Sequence, residues 1–134
     1  MYSDDSLNDI RFRSYETYEK LMGKKFLKKI GYNTYVQKRE TLFGKSGYVF
    51  EILFHASIIA RIYPDSIAFY NRGFKTRTTK ERIDSLLPPN WVLFQHKKEW
   101  YFTNRDSAKN TSEIWYDWYE GCTFHFENKI WTLL

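Results

Sequence analysis

The side chains with the most reactive chemistry in this sequence are three histidines and one cysteine. His55, His96 and His125 lie far apart in the chain, and Cys122 stands three residues before His125. Structural zinc sites usually take two ligands from one short motif. A strand places residues three apart on opposite faces, so Cys122 and His125 do not form such a pair. The sequence therefore predicts no metal site and no cofactor.

Carboxylates are the other side chains that could support catalysis, since a metal-dependent nuclease needs them clustered around a divalent cation. Those available are scattered, and we interpret each as ordinary surface charge. They are Glu51, Asp65, Glu99 and Glu127. No Gly-x-Ser-x-Gly motif is present, and Cys122 has no base beside it in sequence. We predict a non-enzymatic protein, with a metal-dependent nuclease or hydrolase using His55, His96 and carboxylates as the alternative.

Positive charge is the feature that this sequence concentrates. The net charge of the 134-residue chain is +5, and the excess falls in two segments. Residues 24–45 contain seven basic and one acidic residue, and residues 71–82 contain five basic and one acidic residue. Lysine and arginine neutralise phosphates, so an anionic partner would select for such segments. A solvated surface that keeps an aromatic-rich protein in solution explains the same charge without a partner.

Nine basic side chains of these segments form the predicted binding surface. They are Lys24, Lys25, Lys28, Lys29, Arg72, Lys75, Arg77, Lys80 and Arg82. Aromatic rings close to them in sequence could stack on bases. These rings are Phe26, Tyr32, Tyr35, Tyr70 and Phe74. The predicted partner is nucleic acid or a nucleoprotein complex, although no known nucleic-acid-binding motif accompanies the charge.

The second basic segment also contains the clearest helix start in the chain. Thr78 and Glu81 match a capping box, in which each side chain satisfies a backbone N–H of the first turn. Apolar residues follow at helical spacing until two prolines stop the helix. We predict a helix over 79–87 within the β-rich part of the chain. Its start, at Thr78 and Thr79, would offer N–H groups to an anion.

Another helix is predicted near the N-terminus, after a flexible lead-in over residues 1–13. Ser14 can cap this helix, and apolar residues recur every three or four positions as far as Ile30. Acidic residues come first and lysines last, which suits the helix dipole. Gly31 is placed to end the helix in a left-handed conformation. We predict a helix over 14–31, with four lysines of the predicted surface in its last turns.

Residues 34–134 are typical of antiparallel strands joined by tight turns. The predicted strands cover residues 34–41, 48–54, 57–63, 67–70, 91–96, 99–103, 122–126 and 130–134. Segment 113–121 is compatible with either a helical turn or a bent strand. No linker or repeat divides the chain. We predict one α+β domain over 1–134, with an antiparallel sheet of about six to eight strands and the two helices packed on it.

Aromatic residues make up 20% of the chain, and a β-rich core accounts for most of them. An exposed patch of four rings would instead indicate a protein–protein adaptor or a homodimer. The rings are Trp115, Tyr116, Trp118 and Tyr119. A single cysteine, an acidic N-terminal segment and the lack of an apolar run near ~20 residues predict a cytoplasmic protein without membrane association.

Four pieces of the chain resemble a group of small uncharacterised proteins found in bacteriophages and in some bacteria. The specific piece is Gly73-x-x-Thr76-x-Thr78-Thr79-x-x-Arg82-Ile83. The weaker pieces are Leu53–Ile58, Gln95 with Trp100-Tyr101, and Glu120–Phe124. Before the threonines of this piece the group has Gly-Gly-Trp, whereas this chain has Arg72-Gly73-Phe74. The predicted N-terminal helix falls outside the resemblance.

This resemblance implies a phage or mobile-element origin and a small accessory role in the host cytoplasm. It brings no catalytic residues to the chain. Small phage accessory proteins commonly act by occupying a surface, so a counter-defence inhibitor of the anti-CRISPR kind is one concrete form of the predicted function.

Overall fold

The protein is described by a computed structural model that covers residues 9–41, 47–106 and 114–134. These residues contain two helices and ten strands. The helices are α1 (Tyr15–Met22) and α2 (Arg77–Leu86). The strands are β1 (Leu27–Gly31), β2 (Thr34–Glu40), β3 (Tyr48–Phe54), β4 (Ser57–Tyr63), β5 (Ser66–Phe69), β6 (Trp91–His96), β7 (Glu99–Asn104), β8 (Tyr116–Asp117), β9 (Cys122–Glu127) and β10 (Ile130–Leu133). The predicted α+β class with antiparallel strands is confirmed.

The strands form two sheets, a division that the sequence did not predict. The main sheet has seven antiparallel strands in the order β1-β2-β3-β4-β5-β9-β10, and β6-β7-β8 form a second sheet. Helix α2 interrupts the meander after β5, and β9 then returns to pair with β5, from Phe69 opposite Cys122 to Ser66 opposite His125. Long-range pairing of this kind leaves no local mark in a sequence.

The core lies between one face of the main sheet and the elements packed on it. Tyr15 of α1 packs on Phe50 of β3 with ring centroids 4.9 Å apart. Towards the other edge of the sheet, Phe124 of β9 meets Trp91 of β6 at 5.0 Å and Phe102 of β7 at 5.2 Å. Aromatic side chains thus join both helix α1 and the second sheet to the main sheet.

The tight turns predicted between strands are present in three hairpins. Both turn residues have positive φ in His55-Ala56, Lys97-Lys98 and Asn128-Lys129, with values between 50° and 70°. Two residues in this conformation form the turn whose twist matches that of paired strands. His55 is therefore a turn residue of the β3–β4 hairpin.

The N-terminal helix is much shorter than the predicted 14–31, so that prediction was wrong. Ser14 caps it as expected and accepts a hydrogen bond from the Thr17 N–H. The helix ends at Met22 because Gly23, with φ of 53°, takes a conformation that favours glycine. The chain then enters β1, and the four-residue spacing of Phe26, just before this strand, and Ile30, within it, imitated a further helical turn.

Helix α2 begins two residues earlier than predicted, at Arg77 and not at residue 79. Thr76, not Thr78, is the N-cap, and its Oγ1 accepts from the Thr79 N–H at 3.2 Å. Glu81 does not complete a capping box, since its carboxylate pairs with Arg77 at 3.5 Å. Two threonines in this segment have the right spacing to cap a helix, and the sequence alone did not distinguish them.

Several other predicted segments lie partly or wholly outside the described residues. They are the lead-in over 1–13, described from residue 9, and the connections at 42–46 and 107–113 between predicted strands. Within the lead-in, Ile10 and Arg13 are buried, so its described end is packed and not loose. The undecided segment 113–121 contains the short strand β8, which pairs with β7. Neither helix of the described chain has the length and apolar character required to cross a membrane.

Candidate nucleic-acid interface

The loop that leads into α2 is held in place by the carboxylate of Glu120. Its two oxygens accept from the backbone N–H groups of Asn71 at 2.8 Å and Arg72 at 2.7 Å. The Asn71 side chain then turns the chain, because its Oδ1 accepts from the Gly73 N–H at 2.8 Å. Gly73 has φ of 82°, which suits a residue without a Cβ. These contacts fix the position from which α2 starts.

A cavity of about 280 Å³ lies between this loop, the β3–β4 turn and the first turn of α2. Its apolar lining comes from Phe54, Ile59 and Phe74. Its polar lining comes from His55, Ser57, Asn71, Thr76, Thr78 and Thr79. One site therefore combines apolar surface with a helix N-terminus, where backbone N–H groups and the helix dipole favour an anion.

The predicted anion site at Thr78 and Thr79 is partly corrected by this geometry. The Thr79 N–H is taken by the Thr76 cap, so it is not available to an anion. The N–H groups of Arg77 and Thr78 precede it in the first turn and have no intrahelical carbonyl to bond. The amides that could bind an anion are thus those of Arg77 and Thr78, about one residue nearer the N-terminus than predicted.

Asn71 contributes a polar group that the sequence analysis did not identify. The residue is 4% exposed, and its Nδ2 has no hydrogen-bond partner among the described residues. Most buried polar groups in proteins are hydrogen-bonded, so such an atom calls for an explanation. The Asn-x-Gly sequence at 71–73 is a recognisable turn signal that could have indicated Asn71. Glu120 acts across 48 and 49 residues and had no local signal.

Two arginines of the predicted surface are anchored beside this cavity. Arg82 of α2 lies over the Phe54 ring, 5.2 Å from its centroid, and donates to the Tyr32 carbonyl at 3.4 Å. Arg72 lies 5.0 Å from the centroid of the Tyr70 ring. Neither forms an ion pair within the described chain. Their positive charge is positioned by rings and backbone carbonyls, and no carboxylate of the described residues pairs with either guanidinium.

Three further cations of the predicted surface surround the start of α2. Lys75 lies 3.9 Å from the carboxylate of Glu99, and Arg77 pairs with Glu81 on the same helix. These side chains are all at least half exposed, and exposed pairs of this kind are weak and screened by salt. Lys80 has no ion pair among the residues described. A phosphate could therefore compete for all three cations.

The lysines of the first basic segment lie on the edge strand β1 and in the connection before it, at the end of the strand farther from α2. Lys24 and Lys25 lie in the connection before β1, and Lys28 and Lys29 lie on it, not on a helix as predicted. At about 3.3 Å per residue, β1 extends for about 13 Å. The β1–β2 turn that Arg82 contacts lies beyond its far end. Lys28 and Lys29 are neighbours on the strand, so their side chains point to opposite faces of the sheet. The nine cations therefore form an elongated surface around the edge at β1, and not one compact patch.

Aromatic rings line this elongated surface, as the sequence suggested. Four of the five predicted rings are exposed: Phe26 57%, Tyr32 60%, Tyr35 36% and Phe74 57%. Tyr35 stands opposite Lys29 in the pairing of β1 with β2. The fifth ring, Tyr70, is half-buried beneath Arg72. Large rings normally lie inside a protein, so their exposure among lysines marks this surface as unusual.

The histidines lie in separate parts of the fold. His55 is in the β3–β4 turn, His96 ends β6 and His125 is on β9. Within the described ranges, no group of three or more His, Cys, Asp or Glu side chains is arranged to hold a metal ion.

Cys122 is fully buried, and burial raises the pKa of its thiol to about 12. A thiol in this state has almost no thiolate to react. We expect a thiol reagent such as dithionitrobenzoate to leave the folded protein unmodified at pH 8. The same reagent should label the single cysteine rapidly once denaturant unfolds the chain. Labelling of the folded protein at the rate of the unfolded protein would contradict this burial.

Glu51 was interpreted as ordinary surface charge, and that interpretation was wrong. Its side chain is 1% exposed, whereas Asp65, Glu99 and Glu127 are exposed as expected. One carboxylate oxygen accepts from Gln37 at 2.7 Å, and the other accepts from Arg61 at 2.9 Å. Neighbouring strands thus place three polar partners around one buried charge, including the more distant Arg39 at 3.4 Å.

The Glu51 carboxylate should make stability depend on pH. Burial raises its pKa, but hydrogen bonds from Arg61 and Gln37 and the charge of Arg39 outweigh burial and hold the pKa below its ordinary value of 4.5. Its contribution is therefore complete above pH 4.5 and is lost as the pH falls through the folded-state value. We expect the wild-type melting temperature to drop below pH 4.5. Glu51→Gln should show a shallower drop, and parallel curves for the two proteins would exclude this role.

The predicted four-ring patch is only partly exposed. Trp115, Tyr116 and Tyr119 are exposed, whereas Trp118 packs 5.2 Å from the Trp100 ring. Trp115 instead meets two rings of the second sheet, Phe94 at 4.9 Å and Tyr101 at 5.3 Å, and the His96 ring at 5.1 Å. The exposed cluster is therefore centred on Trp115 and lies on the second sheet.

Fold and site together define a small α+β protein with an elongated basic surface, exposed rings and a cavity at a helix N-terminus. The model of one protein family, the Kyanoviridae Gp96 protein, matches residues 13–130. The chain belongs to this phage family and is a bacteriophage accessory protein, which confirms the resemblance to phage proteins. The match includes α1, so this helix is not outside the family as first inferred. No curated protein and no solved structure matched the chain.

Proposed function

We propose that this phage protein is a non-enzymatic binder of nucleic acid that acts in the host cytoplasm. The observation that carries the proposal is the exposure of four aromatic rings along a surface whose lysines, apart from Lys75, have no ion pairs within the described chain. Cations attract the phosphate backbone, and exposed rings offer stacking surfaces to bases that are not paired in a duplex. The combination therefore favours a single strand.

The shape of the surface supports the same partner. It runs along edge strand β1, with Lys24 and Lys25 at one end and the start of α2 at the other. An extended polyanion can follow such a path and contact successive cations. A host nucleoprotein complex would present the same phosphates, and binding to one would make the protein a counter-defence inhibitor of the anti-CRISPR kind.

A pull-down from lysate of an infected host, with and without nuclease treatment, tests this proposal. Nucleic acid recovered with the tagged protein, and lost after nuclease, is the expected result. The control bait carries Lys75→Glu, Arg77→Glu and Arg82→Glu and should recover much less. Equal recovery by both baits would contradict the location of the surface. A host protein retained after nuclease would instead identify a protein partner.

The Trp115 cluster supports a second candidate function, a protein–protein contact or a homodimer. Its evidence is the exposed Trp115 ring, 47% accessible, packed against Phe94, Tyr101 and His96 on the outer side of the second sheet. Exposed groups of rings of this kind often mark interfaces. Sedimentation analysis of the wild type and Trp115→Ala tests it. A monomer in both cases, with unchanged protein partners in the pull-down, would remove this candidate.

A further inference from the structure

We infer that the cavity at the start of α2 holds one nucleoside monophosphate unit. The phosphate lies at the helix N-terminus, and the base lies against Phe74. This inference deepens the proposed function, since it assigns a specific site to one nucleotide of the bound strand. The same chemistry is present in a free mononucleotide, and the experiment below separates the two sources.

The phosphate end is defined by the first turn of α2. The N–H groups of Arg77 and Thr78 have no intrahelical acceptor, and Thr78 lines the cavity. Helix α2 has ten residues, and its dipole adds to the charge of Lys75 and Arg77 at this end. These groups would bind any small anion, so they do not by themselves select a nucleotide.

The cavity also has an apolar part, which a bare anion would not contact. Phe54 and Ile59 are buried residues of the lining. Phe74 is 57% exposed and lies on the loop just before the N-cap residue Thr76. Phe74 has no ring partner or cation within the described residues, so its face is open to a flat ligand. A nucleobase supplies such a face, because stacking on an aromatic side chain requires no particular base.

Asn71 is the second and independent indication of a ligand. Asn71 lines the cavity and is 4% exposed, its Oδ1 is used by Gly73, and its Nδ2 is buried without a partner in the described chain. A donor in this position is satisfied by a ligand acceptor such as a base carbonyl or ring nitrogen. The cavity has a volume of about 280 Å³, just below the range of small-molecule sites, about 300–1,000 Å³. A cavity of this size could take one nucleotide but not a duplex.

Isothermal titration calorimetry on the full chain tests this inference with four kinds of probe. The probes are nucleoside 5′-monophosphates, the matching nucleosides, inorganic phosphate, and a single-stranded oligonucleotide of about ten residues. We expect at least one nucleotide to bind at least about tenfold more tightly than its nucleoside or phosphate alone. Phosphate binding as tightly as every nucleotide, or no nucleotide binding at all, would overturn the inference.

Two variants locate the site, and a matched variant controls for the loss of an exposed ring. Phe74→Ala should weaken nucleotide binding by roughly 5- to 150-fold, the range expected for one lost stacking contact. Phe126→Ala removes a ring of similar exposure, 41%, on β9 and outside the basic surface, and should leave nucleotide affinity unchanged. Asn71→Asp keeps an acceptor for Gly73 but removes the Nδ2 donor, so it should also weaken binding. Equal affinities for the Phe74 and Phe126 variants would overturn the inference.

The same titrations separate this inference from the proposed function. Tighter binding of the oligonucleotide than of any mononucleotide, with a loss in Phe74→Ala, supports both. Mononucleotide binding without oligonucleotide binding supports the cavity and contradicts the proposed function. Oligonucleotide binding that Phe74→Ala and Asn71→Asp leave intact contradicts the cavity and leaves the basic surface as the site.

Discussion

Replacing Lys75, Arg77 and Arg82 together by glutamate should weaken binding of a single-stranded oligonucleotide by about 100-fold or more at moderate salt. Each substitution removes a cation that can contact a phosphate and adds a repelling charge. The slope of log affinity against log salt should fall by about two to three, since each phosphate contact contributes roughly 0.7 to a single strand. Fluorescence anisotropy of a labelled oligonucleotide at several salt concentrations measures both effects.

A control triple variant separates position from net charge. Arg11, Arg105 and Lys129 are exposed cations before α1, after β7 and in the β9–β10 turn, outside the predicted surface. Their replacement by glutamate changes the net charge by the same amount and should weaken binding far less. An equal loss in both variants would show that overall charge, and not the region around α2, attracts the nucleic acid.

Phe102→Ala should lower the free energy of unfolding by about 3–5 kcal/mol, the usual cost of truncating a buried phenylalanine. Phe102 is 0% exposed and lies 5.2 Å from the Phe124 ring and 5.6 Å from the Trp118 ring. It therefore fills the space between the two sheets. The substitution leaves a cavity that the paired strands around it cannot readily close. Urea denaturation followed by tryptophan fluorescence gives the change.

Phe126→Ala is the matched control for this loss of packing. Phe126 is 41% exposed and packs on Trp131 near the edge of the main sheet, with ring centroids 5.0 Å apart. We expect a loss of about 1 kcal/mol, because less apolar surface is returned to water. Phe102→Leu keeps most of the buried volume and provides a measurable variant should the alanine variant be too unstable to purify. Losses of equal size for Phe102→Ala and Phe126→Ala would contradict a core between the sheets.

Much of the fold could be predicted because its strands and turns carry local signals. The hairpins at Lys97-Lys98 and Asn128-Lys129 follow from apolar runs separated by two residues. The prediction of the N-terminal helix was wrong beyond Met22, because two signals in the sequence competed there. The spacing of Phe26 and Ile30 fits a helix, but pairing of β1 with β2 exposes Phe26 and buries only Ile30. The pairing of strands therefore determined the structure of this segment, which the periodicity of the sequence left ambiguous.

The candidate site was predictable in composition but not in arrangement. Local charge and ring content indicated the basic segments, and four of the five rings near them are exposed. The cavity depends on Glu120, which fixes the Asn71 loop from another part of the chain, and no sequence pattern links the two. Glu51 was missed for the same reason, since Arg61 and Gln37 reach it from neighbouring strands.

Binding of the wild-type protein to a labelled single-stranded oligonucleotide across a range of salt concentrations is the most direct measurement of the central claim. The basic surface predicts clear binding at low salt and a linear fall of log affinity with log salt, with a slope that corresponds to several phosphate contacts. Absence of binding at low salt, or an affinity that salt does not change, would contradict the assignment of this surface to nucleic acid.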